Sequence, residues 1–127
     1  MSRSDISRTA LAILFVAAGT LHFIAPAYYR VIVPPYLPSP ATLVAVTGAL
    51  EIAGGVGLLL PRLRRWAGVG LILLLIALLP ANVEMLQRHR ATGGPAWQEI
   101  LLWLRLPFQA ILAWWTWRVS QSSAHQP

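Results

Sequence analysis

Five polar residues interrupt stretches of the chain that are otherwise apolar: His22, Glu51, Asn82, Arg105 and Gln109. Their types suit hydrogen-bond and proton chemistry. Arg105, His22 and Asn82 can donate hydrogen bonds, and Glu51 can accept a proton. A charge in hydrocarbon is unfavourable by about 3 kcal/mol even on insertion scales, so each needs a partner. Glu51 lies about nine residues into its stretch and Arg105 about eight into its own. That places them roughly 14 and 12 Å deep from the same side. An ion pair between them is expected, direct or through Asn82 or His22. Gln98, Arg105, Gln109 and Thr116 recur at spacings that make one polar helix face. Thr47, Gly48, Gly54 and Gly55 flank Glu51 at helical spacing, and their small size turns it toward another helix. These polar groups fall at one level of the chain's apolar stretches, and the opposite half contributes almost none. They can form a polar cavity, or they can hold helices together without any chemistry.

The elements that must carry them are four apolar segments, at 9–25, 42–60, 66–83 and 97–117. Each approaches the roughly 20 residues that a hydrocarbon core requires. Apolar residues make up 57% of the 127 residues, more than a soluble domain of this size can hide. The segments are continuous and rich in Leu and Ala, which excludes the alternating ten-residue pattern of a membrane barrel. The expected fold is all-α, a single domain over 1–127. It is a four-transmembrane-helix bundle running up-down-up-down.

All ten basic residues are Arg, and all but Arg105, which lies inside the fourth segment, bracket the apolar runs. Arg3, Arg8, Arg62, Arg64, Arg65 and Arg118 lie on the side of the termini, against Arg30, Arg88 and Arg90 on the other. This excess places both termini in the cytoplasm, in a multi-pass protein of a bacterial inner (plasma) membrane. Trp66, Trp97, Trp114, Trp115 and Trp117 stand at segment ends, where an indole meets headgroups. The net charge of +6 is thus an orientation signal and not a nucleic-acid surface. Expected partners are membrane lipids and other subunits of a membrane complex, with no nucleic acid.

The outer connection, 26–41, holds five prolines yet is apolar and aromatic. Proline at this density forbids a long helix. The segment reads as a rigid cap or as a lid, with Tyr36 and Leu37 packing over the bundle mouth. Pro80 and Pro107 each free a backbone carbonyl one turn back, at the level of the polar residues. Absence of Cys removes thiolate chemistry, and no spacing of His and carboxylates favours a metal. No motif for an intrinsic cofactor is present, so unaided electron transfer is not expected.

Several motifs together resemble the DoxX family of small four-helix membrane proteins. They are Gly19-Thr20-Leu21-His22-Phe23, Ile32-Val33-Pro34-Pro35-Tyr36-Leu37-Pro38, and Thr47-Gly48-x-x-Glu51-Ile52-x-Gly54-Gly55. Pro80-Ala81-Asn82 and Leu104-Arg105-Leu106-Pro107-x-Gln109 complete the set. The resemblance runs from about Ala18 to Gln109. It implies a subunit or accessory of a quinone-linked membrane redox system, with a quinone or another lipophilic molecule in the outer cavity, where Arg105, His22 or Asn82 would donate to a quinone carbonyl and Glu51 would accept a proton. The vertebrate relatives of that family, which assist receptor assembly, imply the alternative of a non-enzymatic membrane helper.

Overall fold

The computed structural model describes residues 2–30, 33 and 35–121, and helix is the only regular structure among them. The order is α1 (Arg3–Ile24), α2 (Pro26–Arg30), α3 (Pro40–Leu59), α4 (Arg64–Thr92) and α5 (Ala96–Gln121). Each boundary has a local cause. Ser2 and Asp5 close a reciprocal capping box at the start of α1. Pro26 follows its C-cap Ala25, and the residue before a proline is pushed out of the helical region. Pro40 occupies the first turn of α3, where its missing N–H is no loss. Gly93, with φ 71°, ends α4 in the left-handed conformation that glycine adopts without penalty.

The 26–41 connection holds the short helix α2, opened by Pro26, and no long one among the described residues. One expectation about the elements is corrected here. The third apolar run, expected to end at 83, continues as helix to Thr92. Pro80 does not stop it, and nothing else does until Gly93. The extension is charged: Glu84 pairs with Arg88 at 3.1 Å, and Arg90 reaches Glu99 of α5 at 3.6 Å.

Among the described residues, α1, α3 and α4 are long and apolar enough to cross a membrane. The fourth segment, now α5, is long enough but is not among them. Gln98, Glu99, Arg105 and Gln109 dilute its apolar character.

Consecutive long helices are antiparallel neighbours. Gly48 faces Gly19 and His22 while Gly55 faces Ala12, so α3 runs back along α1. Gly57 meets Ala67 across the α3–α4 turn, and Gly68 of α4 meets Ser120 near the end of α5. The buried positions explain the packing. On α1, Arg8, Ala12, Phe15, Gly19 and His22 are buried, and on α3 Val44, Gly48, Glu51, Gly55 and Leu58, with Leu11 and Gly57 buried beside these rows. Each row alternates steps of three and four, the seam of helices that interlock at a shallow angle. Leu11, Ala12, Phe15, Leu58, Leu71, Leu75 and Val119 form the apolar core, largely in the half that holds the helix α1 start and the α5 end.

The outward faces stay apolar. Ile13, Ile24, Leu73, Ile100 and Ile111 are exposed, as are Trp66, Trp97, Trp114 and Trp117. An exterior of this kind is unsuited to bulk water.

Candidate functional site

The half of the bundle away from that core contains two adjoining cavities. The first, of about 260 Å³, is apolar and lies beneath the α1–α3 connection. Val33, Leu37, Leu43 and Val44 line it on one side and Ala77, Leu78, Pro80 and Ala81 on the other. The second, of about 210 Å³, lies between α1, α3, α4 and α5. Its lining includes His22, Glu51, Asn82, Arg105 and Gln109, with Ala18, Leu75, Leu78, Phe108 and Leu112 among the apolar residues. His22, Leu78 and Ala81 border both.

Local structure places each polar side chain. On α1, Gly19 lets α3 approach so closely that a Cβ there would stand 2.5 Å from the Gly48 carbonyl oxygen. This crossing carries His22 and Glu51 inward, His22 opposite Gly48 and Glu51 opposite Gly19. The His22 Nδ1 lies 3.3 Å from the Thr47 hydroxyl oxygen, and the ring also hydrogen-bonds the Val44 backbone. From α4, Asn82 donates its amide N–H to Gln109 of α5, and the Gln109 amide donates to the Leu75 carbonyl. That carbonyl lies in the helical turn just before Pro80, so the proline-bearing stretch of α4 is stitched to α5 by one side chain. The polar face expected on α5 does turn inward, with Arg105 half-buried and Gln109 and Thr116 buried.

The expected ion pair is not formed. No salt bridge or hydrogen bond joins Glu51 to Arg105 among the described residues, and neither Asn82 nor His22 bridges them. Arg105 instead donates from Nη1 to the Met85 thioether, at 3.2 Å. Glu51 is 6% exposed, and its Oε2 is buried with no hydrogen-bond partner. Depth was estimated correctly enough to put both on one cavity. The pairing failed because Asn82 and Gln109 satisfy each other and Arg105 lies over Met85 on its own neighbour, α4.

The lid is corrected in part. Tyr36 is 72% exposed and covers neither cavity, while Leu37, adjacent in the turn, is 39% exposed and lines the apolar one. Ile32 and Pro34 of the loop motif lie outside the described residues, as does Val31 before it.

The expectation of an almost apolar opposite half is also wrong. Arg8 and Arg64 are buried there. Arg64 donates Nε to the Leu58 carbonyl at 2.8 Å, and Arg8 donates Nε to the Val119 carbonyl while Nη1 meets Asp5 at 2.9 Å. Both guanidinium groups thus cap the last turns of helices, α3 and α5, where carbonyls lack partners. Trp115 joins the same region by donating to the Ser7 hydroxyl at 2.7 Å. Asp5 three residues before Arg8 was the available signal, since an i, i+3 pair fixes the direction of the arginine.

A bundle of antiparallel helices, three of them long and apolar enough to cross a membrane, with a polar chamber between them defines a class: small helical proteins with an apolar exterior and a polar interior cavity. Within it, the chain belongs to the family of a domain of unknown function, DUF8561, which matches residues 11–120. The DoxX resemblance is thereby overturned, since this family and not DoxX accounts for the chain. The quoted motifs have a general cause. Gly19 and Gly48 permit a tight crossing, and Asn82 with Gln109 ties α4 to α5, needs shared by many packed apolar bundles. No curated protein and no solved structure matches the chain.

Proposed function

We propose that the protein is a multi-pass component of a bacterial plasma membrane that binds a lipophilic molecule with a hydrogen-bonding head, of which a quinone is the leading example. The observation that carries this reading is the pairing of a polar chamber, lined by Glu51 and Arg105, with an apolar one that shares His22, Leu78 and Ala81. Each cavity alone is smaller than the roughly 300–1,000 Å³ of ordinary ligand sites, and the two together fall within it. The head occupies the chamber of Glu51 and Arg105, and the apolar portion lies along Val33, Leu37 and Val44.

In this reading α5 is the fourth span. Arg105 and Gln109 turn toward the cavity, and Trp103, Leu104, Phe108 and Ile111 are left exposed to lipid. The six arginines around the α3–α4 turn and the termini put that face in the cytoplasm. A reporter active only in the periplasm, fused behind Gln126, is expected to stay silent, and strong periplasmic activity reverses the orientation.

Native mass spectrometry of the detergent-extracted protein tests the binding. The expected result is a small lipophile retained at one per chain and lost in Ala81→Phe, which fills the shared lining of both cavities. Identical spectra for the two proteins overturn the reading and favour a helper that acts through its outer faces.

A further inference from the structure

Which head group the chamber accepts follows from what its polar side chains still lack. Three of the five are already engaged. His22 contacts Thr47 and the Val44 backbone, Asn82 donates to Gln109, and Gln109 donates to Leu75. The other two are poorly satisfied, and they are complementary. Glu51 offers a buried carboxylate oxygen with no donor, and the Arg105 guanidinium offers N–H groups to a thioether, a weak acceptor. They line one cavity without touching each other. A bare carbonyl would accept from Arg105 but would bring a second oxygen lone pair against Glu51. An ammonium would satisfy Glu51 but would meet the like charge of Arg105. A hydroxyl does both, donating its proton to one and accepting from the other.

We infer that the chamber selects a hydroxyl-bearing lipophile, such as an alkylated phenol, whose O–H donates to Glu51 while its oxygen accepts from Arg105. The inference rests on the cavity reading above and refines it; for a quinone it specifies the reduced, hydroxyl-bearing form. Selection follows from the cost of leaving a buried acceptor unpaired, the asymmetry that lets hydrogen-bonding sites reject analogues lacking the group.

The test is a titration of the full-length protein in lipid nanodiscs with a para-alkylphenol and with its methyl ether, which keeps the oxygen and loses the proton. The phenol is expected to bind at least about tenfold more tightly. Glu51→Gln carries an amide that can donate as well as accept, and it is expected to bring the two ligands within a few-fold of each other. Ala81→Phe should abolish saturable uptake of both, which separates the cavity from partition into lipid. Equal binding, or preference for the ether, overturns the hydroxyl inference and leaves the cavity reading standing. Failure of both ligands to saturate the wild-type protein overturns the cavity reading and the inference with it. The comparison of ligands on the wild-type protein decides the matter even where a variant fails to fold.

Discussion

Replacing Glu51 by Gln is expected to make the protein more stable, by about 1–3 kcal/mol, while impairing ligand selection. A buried acceptor without a donor is unfavourable by about that amount, and a charged one in an apolar surrounding by more. Glu51 has such an oxygen, and the substitution keeps the shape of the side chain while removing the charge. The opposite sign is expected of a structural ion pair, where loss of one partner costs about 3–5 kcal/mol. Because Arg105 rests on Met85 and not on Glu51, Glu51→Gln and Arg105→Gln should add with little coupling. Reversible unfolding of the four proteins in mixed micelles measures both quantities. A destabilised Glu51→Gln, rescued by the second substitution, would show that the two charges are bound to each other after all. Residues kept at the expense of stability are the mark of a site, which is why the sign of this one change carries so much weight.

The second large effect concerns the α1–α3 crossing. Gly48→Ala is expected to lower stability by about 1–3 kcal/mol, and Gly48→Val by more. A Cβ at Gly48 would stand 2.7 Å from the His22 Cβ and 2.9 Å from the Gly19 carbonyl oxygen. Part of that obstruction is backbone, so relief requires the helices to separate. Separation would also displace His22, which borders both cavities, and ligand retention should fall along with the melting temperature. Gly70→Ala is the matched control. It lies in α4 with nothing within 4 Å of its Cβ position, and it should be neutral or stabilising by about 0.5–1 kcal/mol, the helix-propensity gain alone. A Gly48→Ala protein as stable as the Gly70→Ala control would mean that the crossing is looser than this packing.

Much of this architecture was legible in the residues themselves. Long apolar runs broken by Pro and Gly dictated helices, since only helix satisfies the backbone within such a segment. The three- and four-residue spacing around Glu51, and the steps of seven, four and seven along Gln98, Arg105, Gln109 and Thr116, showed which faces turn inward. Counting 1.5 Å per residue brought Glu51 and Arg105 to a similar depth, in the half of the bundle that also holds His22 and Asn82, and one cavity is lined by these four and Gln109. These are local properties, set by periodicity and helical rise.

Pairing is not local, and there the tertiary structure decided. Whether Arg105 meets Glu51 or Met85 depends on the rotation of α5 against α4, and that rotation is set by Gln109 reaching Asn82 and the Leu75 carbonyl. No spacing within one helix records it. The same holds for Tyr36 and Leu37, adjacent residues of which one lines a cavity and the other faces outward, and for Arg8 and Arg64, whose roles as caps exist only because α5 and α3 end beside them. The sequence by itself determined which groups lie in the apolar interior and how deep. Only the packing of four helices determined which of them satisfied one another and left Glu51 without a donor.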